Sequence, residues 1–191
     1  RKGNVRALMA NRVLAEMQRG DISVLIGRAP EFYGPDRTQS FTNTLVIDRL
    51  KQHKCPRVPV RDDTLRTTGI WTPDASRALA LLGNTPDAFG QTWHLPCCDE
   101  RLTYQNFVAL ACSIFGQKAD YAVLGKLAFA ATALFSQGAR EMRELLPRYD
   151  VDNLFDSTKF KRHFPDFPVT SYRQGLENIW QEWTSKAHKT A

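Results

Sequence analysis

The five residues Ile22 to Ile26 (ISVLI) show no polar alternation apart from Ser23. That pattern predicts a strand covered on both faces, as in a parallel sheet. The segment that follows, GRAPEFYGP, contains a small-residue bend, the aromatic pair Phe32-Tyr33 and the turn Gly34-Pro35. In open α/β sheets the crevice beyond the carboxyl ends of the strands is where ligands bind. Residues 28–35 are therefore a candidate ligand-side loop.

The surrounding sequence supplies the helices that such a sheet requires. Val5, Leu8, Met9, Val13, Leu14 and Met17 recur at helical spacing, so residues 4–19 read as an amphipathic helix ended by Gly20-Asp21. Residues 44–52 read as a second helix. Cys55 to Val60 holds two prolines, which leaves an irregular or edge strand. A short strand is expected at 67–71. A helix then runs to Leu82, with Thr72 as cap, Pro73 in the first turn and Asp74 complementing the dipole. Another strand follows at 92–95, then a helix capped by Thr103 and closed by Gly116. Residues 121–146 read as mainly helical. A last amphipathic helix from Ser171 holds Trp180 and Trp183, which are read as helical packing. Strands alternating with helices mean an α/β class.

Composition narrows the function classes. The chain has 191 residues, 42% hydrophobic and 24% charged, enough for one domain with a sizeable core. The net charge of +6 comes from Lys and Arg interleaved with acids, without a long like-charge run, which argues against a nucleic-acid footprint. Cys55, Cys97, Cys98 and Cys112 form neither a disulfide framework nor a zinc spacing, so four free thiols in a reducing compartment are expected, and no metal. The longest apolar stretch, 122–135, is interrupted by Lys126 and too short for a bilayer. The expectation is a soluble, cytoplasmic protein that does not use a membrane.

The order of these elements resembles the second half of the NAD-dependent epimerase/dehydratase family of extended short-chain dehydrogenase/reductases. RAPEFYGP is similar to that family's RPxNVYGP segment, which lines nicotinamide and substrate. GIWTPDASRAL resembles its HVxDVARA strand and helix, and FDSTKF…FPDFPVTSYRQGLENIWQEW its closing segment. The resemblance implies the C-terminal portion of a Rossmann-type parallel-sheet fold, with a mostly helical substrate-binding subdomain across residues 1–191. It also implies NAD or NADP as cofactor, and a small metabolite, neutral or anionic, bearing a carbonyl or hydroxyl as substrate.

Two features of the family are missing. No Gly-rich turn that could cradle a pyrophosphate is present among the 11 glycines. No Tyr-x-x-x-Lys pair is present either. The positions that resemble that Tyr and Lys fall near Lys2 and Arg6, and neither can do the tyrosine's proton transfer. Two accounts fit: a fragment whose cofactor-bearing first half lies upstream, or a complete but degenerate protein. A start without Met, in a helix the family places mid-chain, favours the fragment, expected to associate as a homodimer or with its own first half.

The resemblance assigns Ala29, Pro30 and Phe32 to the nicotinamide side. It assigns Arg28, Glu31, Tyr33, Arg66 and Trp71 to the substrate, with no catalytic residue identified. Arg28 can hold a phosphate or carboxylate bidentately or form a plain surface ion pair; Phe32 and Tyr33 can stack on a ligand or simply pack. Glu31 stands where the family has a substrate-contacting Asn, which removes an amide donor and adds charge. A catalytic parent and a non-catalytic dinucleotide-sensing protein of the same fold both remain open at this point.

Overall fold

The computed structural model describes residues 2–35, 38–63, 65–66, 69–127, 146–147, 149 and 151–190. Helix α1 (Lys2–Arg19) is the amphipathic segment expected at 4–19. It ends on Gly20, whose φ of +77° lies in the left-handed region where glycine closes helices. Strand β1 (Ile26–Arg28) pairs in parallel with β6 (Thr92–His94), in the register Ile26–Thr92, Gly27–Trp93 and Arg28–His94.

The position of β1 corrects the sequence reading. The apolar run at 22–26 is expected to be the strand, covered on both faces. Instead the ladder starts where that run ends, Ile22 is 40% exposed, and Gly27 and Arg28 are exposed. A strand exists where a partner supplies hydrogen bonds, and β6 begins only at Thr92. Upstream of it, Gly90 donates to the Val24 carbonyl and Ile26 to that of Gln91. Gly27 permits close packing on this sheet: a Cβ there would lie 2.7 Å from Leu79 Cδ2.

Strand β2 (Phe32–Tyr33) pairs in parallel with β5 (Ile70–Trp71), which runs directly into α3 (Thr72–Gly83). Thr72 does not cap α3. Trp71 occupies the cap position without a side-chain bond, and the Thr72 hydroxyl donates to the Tyr33 carbonyl at 3.1 Å. Pro73 lies in the first turn as expected. The buried Asp74 carboxylate accepts from Thr170 N (2.7 Å), Thr170 Oγ1 (3.0 Å) and Arg77 (2.6 Å). This ties α3 to the segment entering the last helix, α6 (Tyr172–Thr190).

The helix expected at 44–52 is a π-helical stretch, Asn43–Ile47, continuing into α2 (Asp48–Lys51). Strand β3 (Arg57–Pro59), the expected edge strand, pairs in parallel with β8 (Ala122–Leu124). The segment 121–146 therefore opens with a strand rather than a helix, and residues 128–145 lie outside the described residues. Strand β4 (Leu65–Arg66) pairs antiparallel with β7 (Leu102–Thr103). Helix α4 (Tyr104–Ile114) is capped by Thr103, whose side chain accepts from Asn106 N at 3.1 Å. Helix α5 (Thr158–His163) follows.

Two apolar clusters hold these elements together. One joins Tyr33, Trp71, Phe107, Tyr172 and Leu176 to Val46, Ile47 and Leu50 of the helical segment. The other joins Ile70, Ala78, Leu82, Trp93, Leu95 and Phe160 across β5, α3, β6 and α5. Trp180 and Trp183 pack beside Phe115, with ring centroids 5.1 and 6.4 Å from it. The fold is α/β with parallel strand pairs. Cys55, Cys97, Cys98 and Cys112 are free thiols.

Candidate functional site

A groove of about 870 Å³ opens beside Phe32, just past the carboxyl end of β1. This volume is of ordinary size for a small-molecule site. Its wall combines three stretches: Arg6 from α1, Glu31 and Phe32 at the start of β2, and Thr38 to Phe41 with Thr44 and Asp48 before and within the helical segment. Phe32 is 37% exposed, leaving an aromatic surface at the groove. Alternation along β2 explains the split with its neighbour: Tyr33 points the other way and is 1% exposed.

Glu31 is the structural hub of the groove. Its Oε1 accepts from Thr42 N and Thr42 Oγ1, both at 2.9 Å. Its Oε2 accepts from the hydroxyls of Tyr104 and Tyr149, both at 3.3 Å. The carboxylate thereby joins the β1–β2 loop to the helical segment and to α4. Ser40 and Asn43 add a second layer: Asn43 N donates to Ser40 Oγ (3.0 Å), and Asn43 Nδ2 donates to the Gly34 carbonyl (2.8 Å). These bonds fix the turn that presents Phe32.

Asp48 differs from Glu31. It is half-buried at the junction of the π turn and α2, and burial pushes its proton affinity up against the opposing pull of Lys51. No hydrogen bond or ion pair to its carboxylate occurs among the described residues. Thr44, one turn earlier, lines the same wall.

The residues expected from sequence divide clearly. Phe32 and Glu31 line the groove. Tyr33 does not: its ring sits among Trp71, Phe107 and Tyr172 at centroid distances of 5.3, 6.0 and 5.6 Å. Burial drives its phenol strongly toward the protonated form. Trp71 is likewise buried, at 7% exposure. Both expectations of substrate contact are corrected to core packing, because β2 and β5 each turn these side chains toward α4 and α6. Arg28 is exposed at the end of β1, opposite His94, outside the groove wall. Ala29 packs against the α3-side cluster and Pro30 is half-buried, and neither lines the groove. Arg66 belongs to β4 by its backbone, while its side chain lies outside the described residues.

Sequence reading missed Thr44 and Asp48. Their signal was present: Ser40, Thr44 and Asp48 recur every four residues within FTNTLVIDRL and its preceding serine. Arg6 was noted for its position alone.

Among the described residues, no helix is long and apolar enough to cross a membrane, and no cluster of His, Cys, Asp or Glu could hold a metal ion.

No protein-family model matches the chain, and no curated protein sequence does. Solved structures do match its fold. UDP-glucuronic acid 4-epimerase from Bacillus cereus, in complex with UDP-glucuronic acid and NAD, superposes with a TM-score of 0.64 at 15% identity. That match covers 87% of this chain and 46% of the other. Pal from Bacillus thuringiensis gives 0.67 at 15% identity, over 93% and 50%. The dTDP-glucose 4,6-dehydratase from Bacillus anthracis, in complex with NAD, gives 0.63 at 16% identity, over 92% and 49%. These likenesses establish the fold as part of a Rossmann-type architecture. The chain spans about half the length of those structures.

Proposed function

We propose that this chain forms the substrate-side portion of an NAD(P)-dependent epimerase/dehydratase or reductase-like protein. Its groove would hold a small carbonyl- or hydroxyl-bearing ligand against the nicotinamide. The observation that carries this reading is the groove itself: an exposed Phe32, fixed by the Glu31 network, just past the carboxyl end of a parallel strand. The solved structures of like fold, two of them in complex with NAD, support the cofactor class.

The residues present suit only the nicotinamide end of a dinucleotide. Phe32 offers an aromatic face there, whereas no Gly-rich turn is available for the phosphates. When bound, the dinucleotide would accept or supply hydride, and this chain would orient the ligand and exclude water. The phosphate-binding half, association with it or with a second copy, and a cytoplasmic location belong to the same proposal. A non-catalytic, dinucleotide-sensing role is the second reading. It is favoured by Lys2 and Arg6 at the positions that resemble the family's proton-transferring Tyr and Lys.

Calorimetric titration of the 191-residue chain with NAD(H) and NADP(H) should show no micromolar affinity. UDP-glucose, used as a probe, should shift the backbone amide resonances of Phe32 and Thr44. Micromolar dinucleotide binding would mean that the phosphate site lies within this chain, and unmoved groove amides would remove the groove as the ligand site.

A further inference from the structure

We infer that Asp48 is the specificity-determining residue of the groove, accepting a hydrogen bond from a ligand hydroxyl and turning anionic groups away from its wall. The inference rests on the groove being the ligand site.

Among the described residues, three ionisable groups line the groove: Arg6, Glu31 and Asp48. Arg6 has only donors to offer. Glu31 already accepts four hydrogen bonds from protein donors, two on each oxygen. A carboxylate offers about four lone-pair sites, so little acceptor capacity remains for a ligand. Asp48 is the carboxyl whose acceptor sites are not taken up by donors among the described residues. It is half-buried, so solvent compensates its charge incompletely, and burial raises its proton affinity. Such a group gains most from a donor that arrives with the ligand.

The backbone supports the same assignment. The stretch directly before Asp48, Asn43–Ile47, is a π turn, a rare geometry that recurs at functional sites. Thr44, within this turn, and Asp48, directly after it, line the same groove. Thr38 and Ser40 bond to Thr72 and Asn43 within the protein, which leaves Gln39, Thr44 and Asp48 as the hydrogen-bonding side chains of this wall, Asp48 being the carboxylate among them. Phe32 and Phe41 add apolar faces suited to the carbon skeleton of a ring. The ligand class that fits is a polyhydroxylated ring with an uncharged hydroxyl toward Asp48. An anionic substituent would be accommodated only where Arg6 can meet it.

The test compares two probes, UDP-glucose and UDP-glucuronic acid, on the full chain and on Asp48→Asn, followed through the amides of Phe32 and Thr44. Asparagine keeps the shape but removes the charge. UDP-glucose affinity should fall about tenfold while UDP-glucuronic acid affinity rises, so that selectivity crosses over. A purely structural role would move both probes in the same direction. Parallel changes, or an unchanged ratio, would overturn the inference and leave the groove standing. If neither probe shifts the groove amides in the unmodified chain, the inference and the proposed function fall together.

Discussion

Replacing Gly175 with alanine would place a Cβ 2.5 Å from the Tyr33 hydroxyl oxygen and 2.9 and 3.0 Å from two ring carbons. Tyr33 cannot retreat easily, because Trp71, Phe107 and Tyr172 surround its ring and its hydroxyl is directed at the Ser171 carbonyl. Crowding a close-packed site of this kind costs about 1–3 kcal/mol. Against that stands the helix-propensity gain of alanine over glycine, roughly 0.5–1 kcal/mol. Gly3 provides the internal control: it is also helical, and a Cβ there meets nothing within 4 Å. Urea denaturation should therefore find Gly3→Ala neutral to slightly stabilising. Gly175→Ala should be less stable than it by about 1–3 kcal/mol, the size of the overpacking penalty. Tyr33→Phe removes the nearest atom but leaves the ring carbons. Adding it to Gly175→Ala should recover part of the loss, with an interaction energy of about 0.5 kcal/mol or more. Equal midpoints for the two glycine variants, or strict additivity with Tyr33→Phe, would refute the packing argument.

Glu31→Gln would turn an amide donor toward hydroxyls that now donate to a carboxylate. The loss of charged hydrogen bonds should lower unfolding free energy by about 2 kcal/mol, and NMR should show altered amide shifts at Thr42; a variant of unchanged stability would contradict the hub role. Asp48 has a folded-state proton affinity above its unfolded one, because burial penalises the charge. Its contribution is therefore fully present below the ordinary carboxylate range and is lost as pH rises through the raised folded value. Asp48→Asn should match the parent at low pH and become progressively more stable than it above that range. Parallel pH–stability curves would count against this.

Local chemistry was legible wherever a residue acts through its own neighbours. The helix at α1, the Thr103 cap with Gly116 closing α4, Pro73 in the first turn of α3 and the edge character of β3 follow from side-chain spacing and backbone constraints within a few residues. The α/β class follows for the same reason. So does the path of the chain from β1 directly into the loop that carries Phe32. The sequence also displayed the four-residue spacing of Ser40, Thr44 and Asp48, though not the surface that this stripe would meet.

Tertiary structure decided what depends on distant partners. β1 sits at Ile26–Arg28 rather than 22–26 because hydrogen bonds from β6, more than 60 residues on, define it. Tyr33 and Trp71 are core rather than site because α4 and α6 close over them. Glu31 became a tether because Tyr104 and Tyr149, 73 and 118 residues away, converge on one of its oxygens. Thr72 looked like a cap, but the Tyr33 carbonyl, 39 residues earlier, captured its hydroxyl. In each case the short-range pattern left a polar or apolar group with several possible partners, and the long-range packing of the chain selected one.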